Sequence, residues 1–380
     1  MLDYDVIIAG GGLAGSLCAV AIAQSWPVAK IAIVERGPAL GGTHRWSFFG
    51  TDLDYAGHQF LAGLSTLKWP GYEVAFPTYT RQFANSYFSF TDVELVDWVG
   101  REVPNLAFHP NKVAASLSDE TLTCDSGEKF TAPTVIDARG WHCSAIAQTS
   151  EIAYQKFVGF LVDAPAHGKT VPTIMDASVQ QADGYRFLYT LPLDADRLFI
   201  EDTYYSHSAD LSLTAVTERL AAERQANGTV SPLQPVETGV LPVLLANDHP
   251  PLPTRGNAIP VGVRAGLFHH VTSYSLPHAV STALWLAPRL KDGSASIMDD
   301  YSARLRAEWR NQSFGRVLNK MLFRGSTLEQ RRSIMSRFYG LNEPLIERFY
   351  ASRLTPADKL RILAGKPPIP ISQALRAIIQ

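Results

Sequence analysis

The sequence predicts a parallel α/β domain joined to a second domain built on a β-sheet and to a helical C-terminal region. Three observations carry this. A short apolar run, Tyr4 to Ile8, leads directly into Gly10-x-Gly12-x-x-Gly15. Strand and turn signals dominate residues 151 to 205. From residue 301 onward the chain reads as helices separated by Gly325, Gly340 and Pro356.

The elements follow in order. Tyr4 to Ile8, rich in β-branched residues, is a buried parallel strand. Small and apolar residues from Leu13 to about Gln24 allow a helix tight against the sheet, Pro27 stops it, and Ile31 to Val34 return as a strand. Aromatic residues cluster at Trp46 to Phe49 and from Tyr72 to Phe90, and Thr91 caps a helix over Asp92 to Glu102. An antiparallel excursion over 113–130 turns at Ser126-Gly127, and Thr134 to Ile136 then enters Asp137-Ala138-Arg139-Gly140. Tyr185 to Leu191 and Arg197 to Tyr205 are strands of a separate sheet. Thr214 to Gln225 is a helix, Val240 to Leu245 a strand, and Asn257 to Val263 a strand returning to the first domain. Lys366 to Pro370 is an extended linker before a last short helix. The expected division is therefore a discontinuous dinucleotide-binding domain (1–65, 106–150 and 255–300), a substrate-binding domain (66–105 and 151–254) and a basic helical region (301–380).

A chain of 380 residues exceeds what one core usually organises. With 46% hydrophobic and 18% charged residues and a net charge of −2, it reads as globular, with no sign of nucleic-acid binding. The charge is unevenly spread. Residues 301–380 hold fifteen Lys or Arg against five Asp or Glu, a balance of +10 that leaves −12 on the first 300. Such asymmetry suggests attraction to an anionic surface or a solvated set of basic helix faces. Cys18, Cys124 and Cys143 show no paired spacing, so neither a disulfide framework nor a metal site is expected, and a reducing cytoplasm fits. No leader pattern opens the chain and no apolar run is long enough to span a bilayer, so membrane contact would be peripheral.

The glycine motif follows a strand, opens a helix and precedes Glu35, twenty residues beyond Gly15 at the end of the second strand. Gly10 permits the tight turn, Gly12 the close approach of backbone to pyrophosphate, and Gly15 close helix packing. The helix N-terminus attracts the phosphates and Glu35 the ribose hydroxyls. That is a Rossmann-type dinucleotide site. Glu35-Arg36, Gly41-Gly42 and the later Asp137-Ala138-Arg139-Gly140 resemble flavoproteins of the glutathione-reductase and aromatic-hydroxylase type, which favours FAD over NAD. Gly262 to Pro277 is the candidate third segment closing the flavin site, and it lacks the Gly-Asp of the hydroxylases.

Phe199-Ile200-Glu201-Asp202-Thr203 lies on an expected strand, where adjacent carboxylates point to opposite faces. Only one can enter a given cavity, and an apolar, aromatic setting would keep it protonated. This run, with Gly42-Thr43-His44-Arg45-Trp46-Ser47-Phe48, Phe268 to Pro277, Phe338 to Leu341, Arg348 to Tyr350 and Leu360 to Pro368, resembles the lycopene β-cyclases of bacterial carotenoid pathways along essentially the whole chain. His270 and Ser273 stand where that family commonly has Pro and Gly.

The resemblance implies a redox-neutral cyclisation. Protonation of the terminal C1=C2 bond of lycopene gives a cation at C1, the C5=C6 bond closes the ring, and loss of the C6 proton leaves a β-ionone ring. Repetition on the monocyclic carotene gives β-carotene. The resemblance assigns Glu201 as the acid with Asp202 in support, and Trp46, Phe48, Tyr204 and Tyr274 as aromatic surroundings for the cation. Reduced FAD would contact Gly10, Gly12, Leu13, Ala14, Gly15, Glu35, Arg36, His44, Asp137, Arg139, Gly140, Gly266, Ser273, Tyr274 and Ser275, with NADPH or NADH as reductant. His44 and His269 are candidates for proton transfer or structural hydrogen bonds. The basic tail, interleaved with Trp309, Phe314, Leu322, Phe323, Phe338, Tyr339, Phe349 and Tyr350, would dock on the cytoplasmic side of the membrane, where lycopene dissolves. Two rivals share the fold class: an FAD-dependent monooxygenase or reductase, and a prenyl-lipid carrier without catalysis. Oligomeric state, final proton acceptor and ring type are not legible at this level.

Overall fold

The computed structural model describes residues 2–141, 150–226, 233–246, 249–293 and 297–364, with 373, 376 and 377 beyond them. Five parallel strands form the first sheet, in the order Ile259–Pro260, Val135–Asp137, Val6–Ala9, Ile31–Val34, Ala107–His109. The central strand, Val6–Ala9, is buried on both faces, as its unbroken apolar run requires. Ala9 pairs with both Val34 and Asp137. That register brings Gly10, Glu35 and Ala138 together at the carboxyl edge of the sheet, where ligands of such sheets bind.

The helix Leu13–Ser25 starts at this edge and is buried around most of its circumference. It packs against the helices Asp92–Glu102 and Leu276–Lys291. A reciprocal capping box between Thr91 and Glu94 sets the start of Asp92–Glu102, while Leu95, Trp98 and Val99 bury its inner face. Its inner face joins the dinucleotide-domain core, whereas Tyr72–Phe76 and Tyr79–Phe83 of the expected 66–105 segment lie in the second domain's sheet. The expected return strand over 257–263 is shorter than its apolar composition suggested. Only Ile259 and Pro260 pair, because Gly262, at φ +59°, turns the chain into the 3₁₀ segment Gly262–Ala265.

A seven-stranded sheet forms the second domain, in the order Gln234–Ala246, Glu151–Asp163, Arg197–Ser206, Tyr185–Pro192, Thr173–Asp176, Tyr72–Phe76, Tyr79–Phe83. Its two longest strands, Glu151–Asp163 and Gln234–Ala246, run antiparallel and extend beside the dinucleotide domain. A small sheet of Arg45–Phe49, Tyr87–Thr91 and Leu67–Trp69 bridges the two. The strands Ala114–Leu117, Thr121–Cys124 and Lys129–Thr131 form the expected antiparallel excursion, with Gly127 at φ +84° in its turn.

Among the described residues, the helices Ile297–Asn311, Ser313–Phe323, Leu328–Tyr339, Glu343–Tyr350 and Pro356–Leu363 follow. Apart from the exposed Leu328, Leu360 and Leu363, their large apolar residues are buried or half-buried. Tyr301 and Leu305 join the dinucleotide-domain core, whereas Leu322, Phe323, Tyr339, Leu345 and Ile346 pack on the seven-stranded sheet. Trp309 and Phe349 are buried as well. Fully burying each such side chain is worth about 1.5–3 kcal/mol, so these aromatics knit the molecule together and are not a surface for membrane insertion. Cys18 and Cys124 are buried free thiols; Cys143 and the Lys366–Pro370 stretch lie outside the described residues. Among the described residues no helix is long and apolar enough to cross a membrane.

Candidate active site

One cavity of about 320 Å³ joins the two domains. At one end it is lined by Gly12, Leu13 and Ala14 of the glycine turn, Ala138 and Gly140 of the later turn, and Val261 to Val263. At the other it reaches Trp46, Phe187, Tyr189, Glu201 and Tyr205 on the sheets. Thr272, Ser273, Tyr274, Ser275, Leu276 and Ala279 close it from the side, placing the N-terminus of Leu276–Lys291 against the space.

The glycine end is shaped for close approach. Gly10 sits at φ +104°, and a Cβ there would fall 2.6 Å from the Ala138 carbonyl oxygen. At Gly15 a Cβ would lie 2.0 Å from the Gly10 carbonyl oxygen, so any side chain would push the helix off the strand. Gly262 meets Ala14 just as closely, which draws the third segment onto the first turn. Glu35 accepts hydrogen bonds from the Gly11 N–H at 2.7 Å and the Gly37 N–H at 2.8 Å, at the end of the second strand. Arg36 is exposed. Asp137 and Arg139 form a buttress: Asp137 accepts from the Arg139 Nε at 2.9 Å and the Arg264 Nε at 2.6 Å, pinning the later turn to the third segment. Gly140 at φ +79° and Gly266 at φ +74° complete the two turns.

This cradle fits a dinucleotide cofactor, as does the Gln155 Oε1, a buried acceptor on the cavity wall with no hydrogen-bond partner among the described residues. Ser273 adopts φ +60°, a left-handed conformation suited to glycine, and its hydroxyl donates to the Pro242 carbonyl at 2.8 Å. The loop's unusual backbone is thereby tied to the long strand Gln234–Ala246.

At the sheet end, strand alternation sorts the two neighbouring acids. Glu201 lines the cavity and accepts a hydrogen bond from the Thr203 hydroxyl at 2.6 Å. Its burial, reinforced by the nearby charge of Glu237, pushes its pKa up to about 8, so it carries a proton at neutral pH. Asp202 faces the other way and is wholly buried. Arg186 donates to it from Nε at 2.7 Å and from its second terminal nitrogen at 2.8 Å, and also grips Glu223. Asp202 is thus part of an ion-pair network beneath the sheet and not a partner of the acid in the cavity.

Two aromatic assignments change, Tyr204 by the same alternation and Phe48, which shares the parity of the cavity-lining Trp46, because it packs into the first core. Tyr204 is on the Asp202 face, buried against the helix Leu213–Ala226, with its hydroxyl accepting from Arg219 at 2.6 Å. Phe48 stacks on Phe88 at 4.9 Å inside the first core. Trp46 and Tyr274 do line the cavity, joined by Tyr189, Tyr205 and Tyr350. Hydroxyls run along one wall from Tyr274 through Tyr87 and Tyr189 to Ser47, at 2.8, 3.0 and 2.8 Å.

His44 is about half exposed, 48% by side chain, and its Nδ1 lies 3.4 Å from Glu237 at the cavity rim. His269 lies outside the cavity lining. Its Nε2–H donates to the Phe349 carbonyl at 2.9 Å, and its Nδ1 accepts from Thr272. Burial pushes its pKa down to about 3, so this ring is a neutral tie between the third segment and the helix Glu343–Tyr350. Sequence reasoning placed Tyr205 beside the acid but missed Glu237, Tyr189, Gln155 and Tyr350 as lining residues. A signal existed for Glu237, the one charged residue in an otherwise uncharged strand, two residues before Gly239.

Comparison with known proteins agrees with this layout. A family model described as "Lycopene cyclase protein" matches residues 5–376. A lycopene beta-cyclase of Pseudescherichia vulneris is 41% identical over 99% of this chain and 97% of its own length. Among solved structures, a p-nitrophenol 4-monooxygenase from Pseudomonas putida superposes with a TM-score of 0.66 at 16% identity, covering 92% of this chain and 98% of that one. A flavin-dependent brominase superposes with a TM-score of 0.62 at 12% identity, covering 99% and 98%. These two likenesses establish the fold. On the family match and on identity along its full length, the chain belongs to the lycopene cyclase family.

Proposed function

We propose that this chain is a lycopene β-cyclase that uses Glu201 to protonate the ends of lycopene beside a bound, reduced FAD. The observation that carries the reading is the single cavity running from the dinucleotide turn at Gly12–Ala14 to a protonated carboxyl on an aromatic wall. Glu201 delivers its proton to C2 of the terminal double bond. Trp46, Tyr189 and Tyr274 present ring faces around the developing cation, each worth about 2 kcal/mol when desolvated. The cradle of Gly10, Gly12 and Gly15 would hold the pyrophosphate, and the N-termini of Leu13–Ser25 and Leu276–Lys291 favour negative charge in the cofactor. Bound reduced FAD supplies an electron-rich ring that stabilises positive charge without transferring electrons. NADPH or NADH would restore the reduced state and is not consumed at each turnover.

Lycopene is insoluble in water, so we further propose peripheral docking on the cytoplasmic face of the membrane. The burial of Trp309, Phe323 and Phe349 moves the candidate contact to the helix Pro356–Leu363, where Leu360 is 71% exposed, Leu363 44% exposed and Arg361 also faces solvent. Exposed apolar residues with a cation between them suit an anionic lipid surface.

Expression in cells that accumulate lycopene tests the activity. The wild-type chain turns red lycopene into orange bicyclic product, Glu201→Gln leaves the cells red, and Asp202→Asn retains colour conversion. Red cells with folded, flavin-loaded wild-type protein contradict the reading. A monooxygenase would instead consume NADPH in proportion to substrate, and a carrier would purify without yellow flavin.

A further inference from the structure

We propose that Glu237 is the base that removes the C6 proton at the end of ring formation. The inference rests on the cyclase reading above and completes its proton cycle.

Both carboxylates belong to one rung of the seven-stranded sheet. Gly159, on the strand Glu151–Asp163, pairs with Glu201 on one side and with Glu237 on the other. Residues directly opposite in antiparallel strands share a face, so both acids project toward the cavity, which both line. Their α-carbons are two strand spacings apart, roughly 10 Å at about 4.8 Å per strand. Between them stands the one residue type without a side chain. A Cβ at Gly159 would fall 2.5 Å from the Phe199 ring and 3.4 Å from the Glu237 Cβ. The Phe199 ring therefore fills the gap, with the Arg45 guanidinium 5.2 Å from its centre. The result is an apolar floor flanked by two carboxyls.

Their surroundings differ in the sense the two roles require. Glu201 receives a hydroxyl hydrogen bond from Thr203, whereas Glu237 receives the Arg45 backbone N–H at 3.1 Å and lies 3.4 Å from the half-exposed His44 ring. Both of these Glu237 contacts fall on Oε1; no hydrogen bond to Oε2 is found among the described residues. Glu237 thus has the half-exposed His44 ring beside it, on the solvent side of the rung.

The proton balance closes. The Glu201 O–H bond breaks as a C2–H bond forms, and the C5=C6 pair captures the C1 cation to close the ring. The C6–H bond then breaks, its electron pair becomes the ring double bond and Glu237 takes the proton. Glu201 ends ionised and Glu237 protonated. Return of one proton to Glu201, across the rung or through His44 and solvent, restores the starting state without oxidant or reductant.

Purified full-length protein, loaded with reduced flavin and given lycopene in liposomes made up in D₂O, tests this. With Glu237→Gln the flavin spectrum should persist and β-ring formation fall by at least about 10²-fold. Recovered lycopene should nevertheless carry deuterium, because protonation at C2 still occurs and reverses. Residual product should shift toward rings whose proton left from C4 or the C5 methyl. Glu201→Gln should abolish both product and exchange, and Glu237→Asp should recover part of the β-ring rate. The proposal is overturned if Glu237→Gln makes β rings at the wild-type rate, or if it keeps flavin yet loses exchange along with product. Should Glu237→Gln not take up flavin, Glu237→Asp decides: a reduced β-ring rate with deuterium in recovered lycopene supports the proposal, and an unchanged rate sinks it. If wild-type protein leaves lycopene unaltered, the cyclase reading itself fails and this inference goes with it.

Discussion

Glu201 holds its proton because burial removes it from water and Glu237 adds negative charge beside it, so activity should report that proton. Its pKa near 8, against an ordinary 4.5, predicts cyclisation that is level at neutral pH and declines through about pH 8, read from initial rates with pre-reduced flavin. The linked effect on stability has a definite sign. The folded chain binds this proton more tightly than the unfolded chain, so its contribution is full below pH 4.5 and is lost as pH rises to about 8. Glu201→Gln should therefore raise the melting temperature above pH 8 and change it little near pH 4, while abolishing product. Asp202 serves the fold instead. Its removal leaves Arg186 buried with only Glu223 as a charged partner, so Asp202→Ala should cost about 3 kcal/mol in denaturant unfolding yet spare turnover per folded molecule. The period-two rule made this division legible in the sequence. Tyr204 was misplaced because its type drew more weight than its parity, which decides the face a strand residue occupies, whereas Phe48 shares the parity of Trp46 and misses the cavity because it packs into the first core.

Elements whose identity rests on local rules were readable. Pro27 ends the first helix, the Thr91–Glu94 box begins Asp92–Glu102, and Gly127 turns the antiparallel excursion. Elements that depend on distant pairing were not. The strand Gln234–Ala246 runs beyond its apolar stretch because Glu151–Asp163 pairs along it, and Glu237 enters the site through that pairing. Glycine spacing marked the cradle, and the structure supplies its tolerance. Gly15→Ala places a methyl 2.0 Å from the Gly10 carbonyl oxygen. That variant should purify without yellow colour, with flavin affinity reduced at least tenfold by titration fluorescence, even where circular dichroism shows the fold retained. Flavin binding of wild-type strength in this variant would mean the close helix–strand contact is not required.

Across the whole molecule, the charge asymmetry was visible in the sequence but its aromatic companions were misread. Sequence alone cannot separate a buried aromatic helix face from an exposed one, and here the seven-stranded sheet covers it. Leu360 and Leu363, exposed on the helix Pro356–Leu363, predict that changing both to Glu lowers sedimentation with anionic liposomes several-fold, without altering turnover of detergent-solubilised lycopene. Substitutions limited to the buried Tyr339 or Phe349 should act through stability instead. The central claim joins both domains: a flavin-bearing fold performs acid catalysis with no net electron transfer. Mass spectrometry of β-carotene formed by the reduced, flavin-loaded protein in D₂O tests it most directly. The account predicts one deuterium per ring formed, at C2, with no NADPH consumed in proportion to product. Rings formed without deuterium, or one NADPH oxidised per ring, would contradict it.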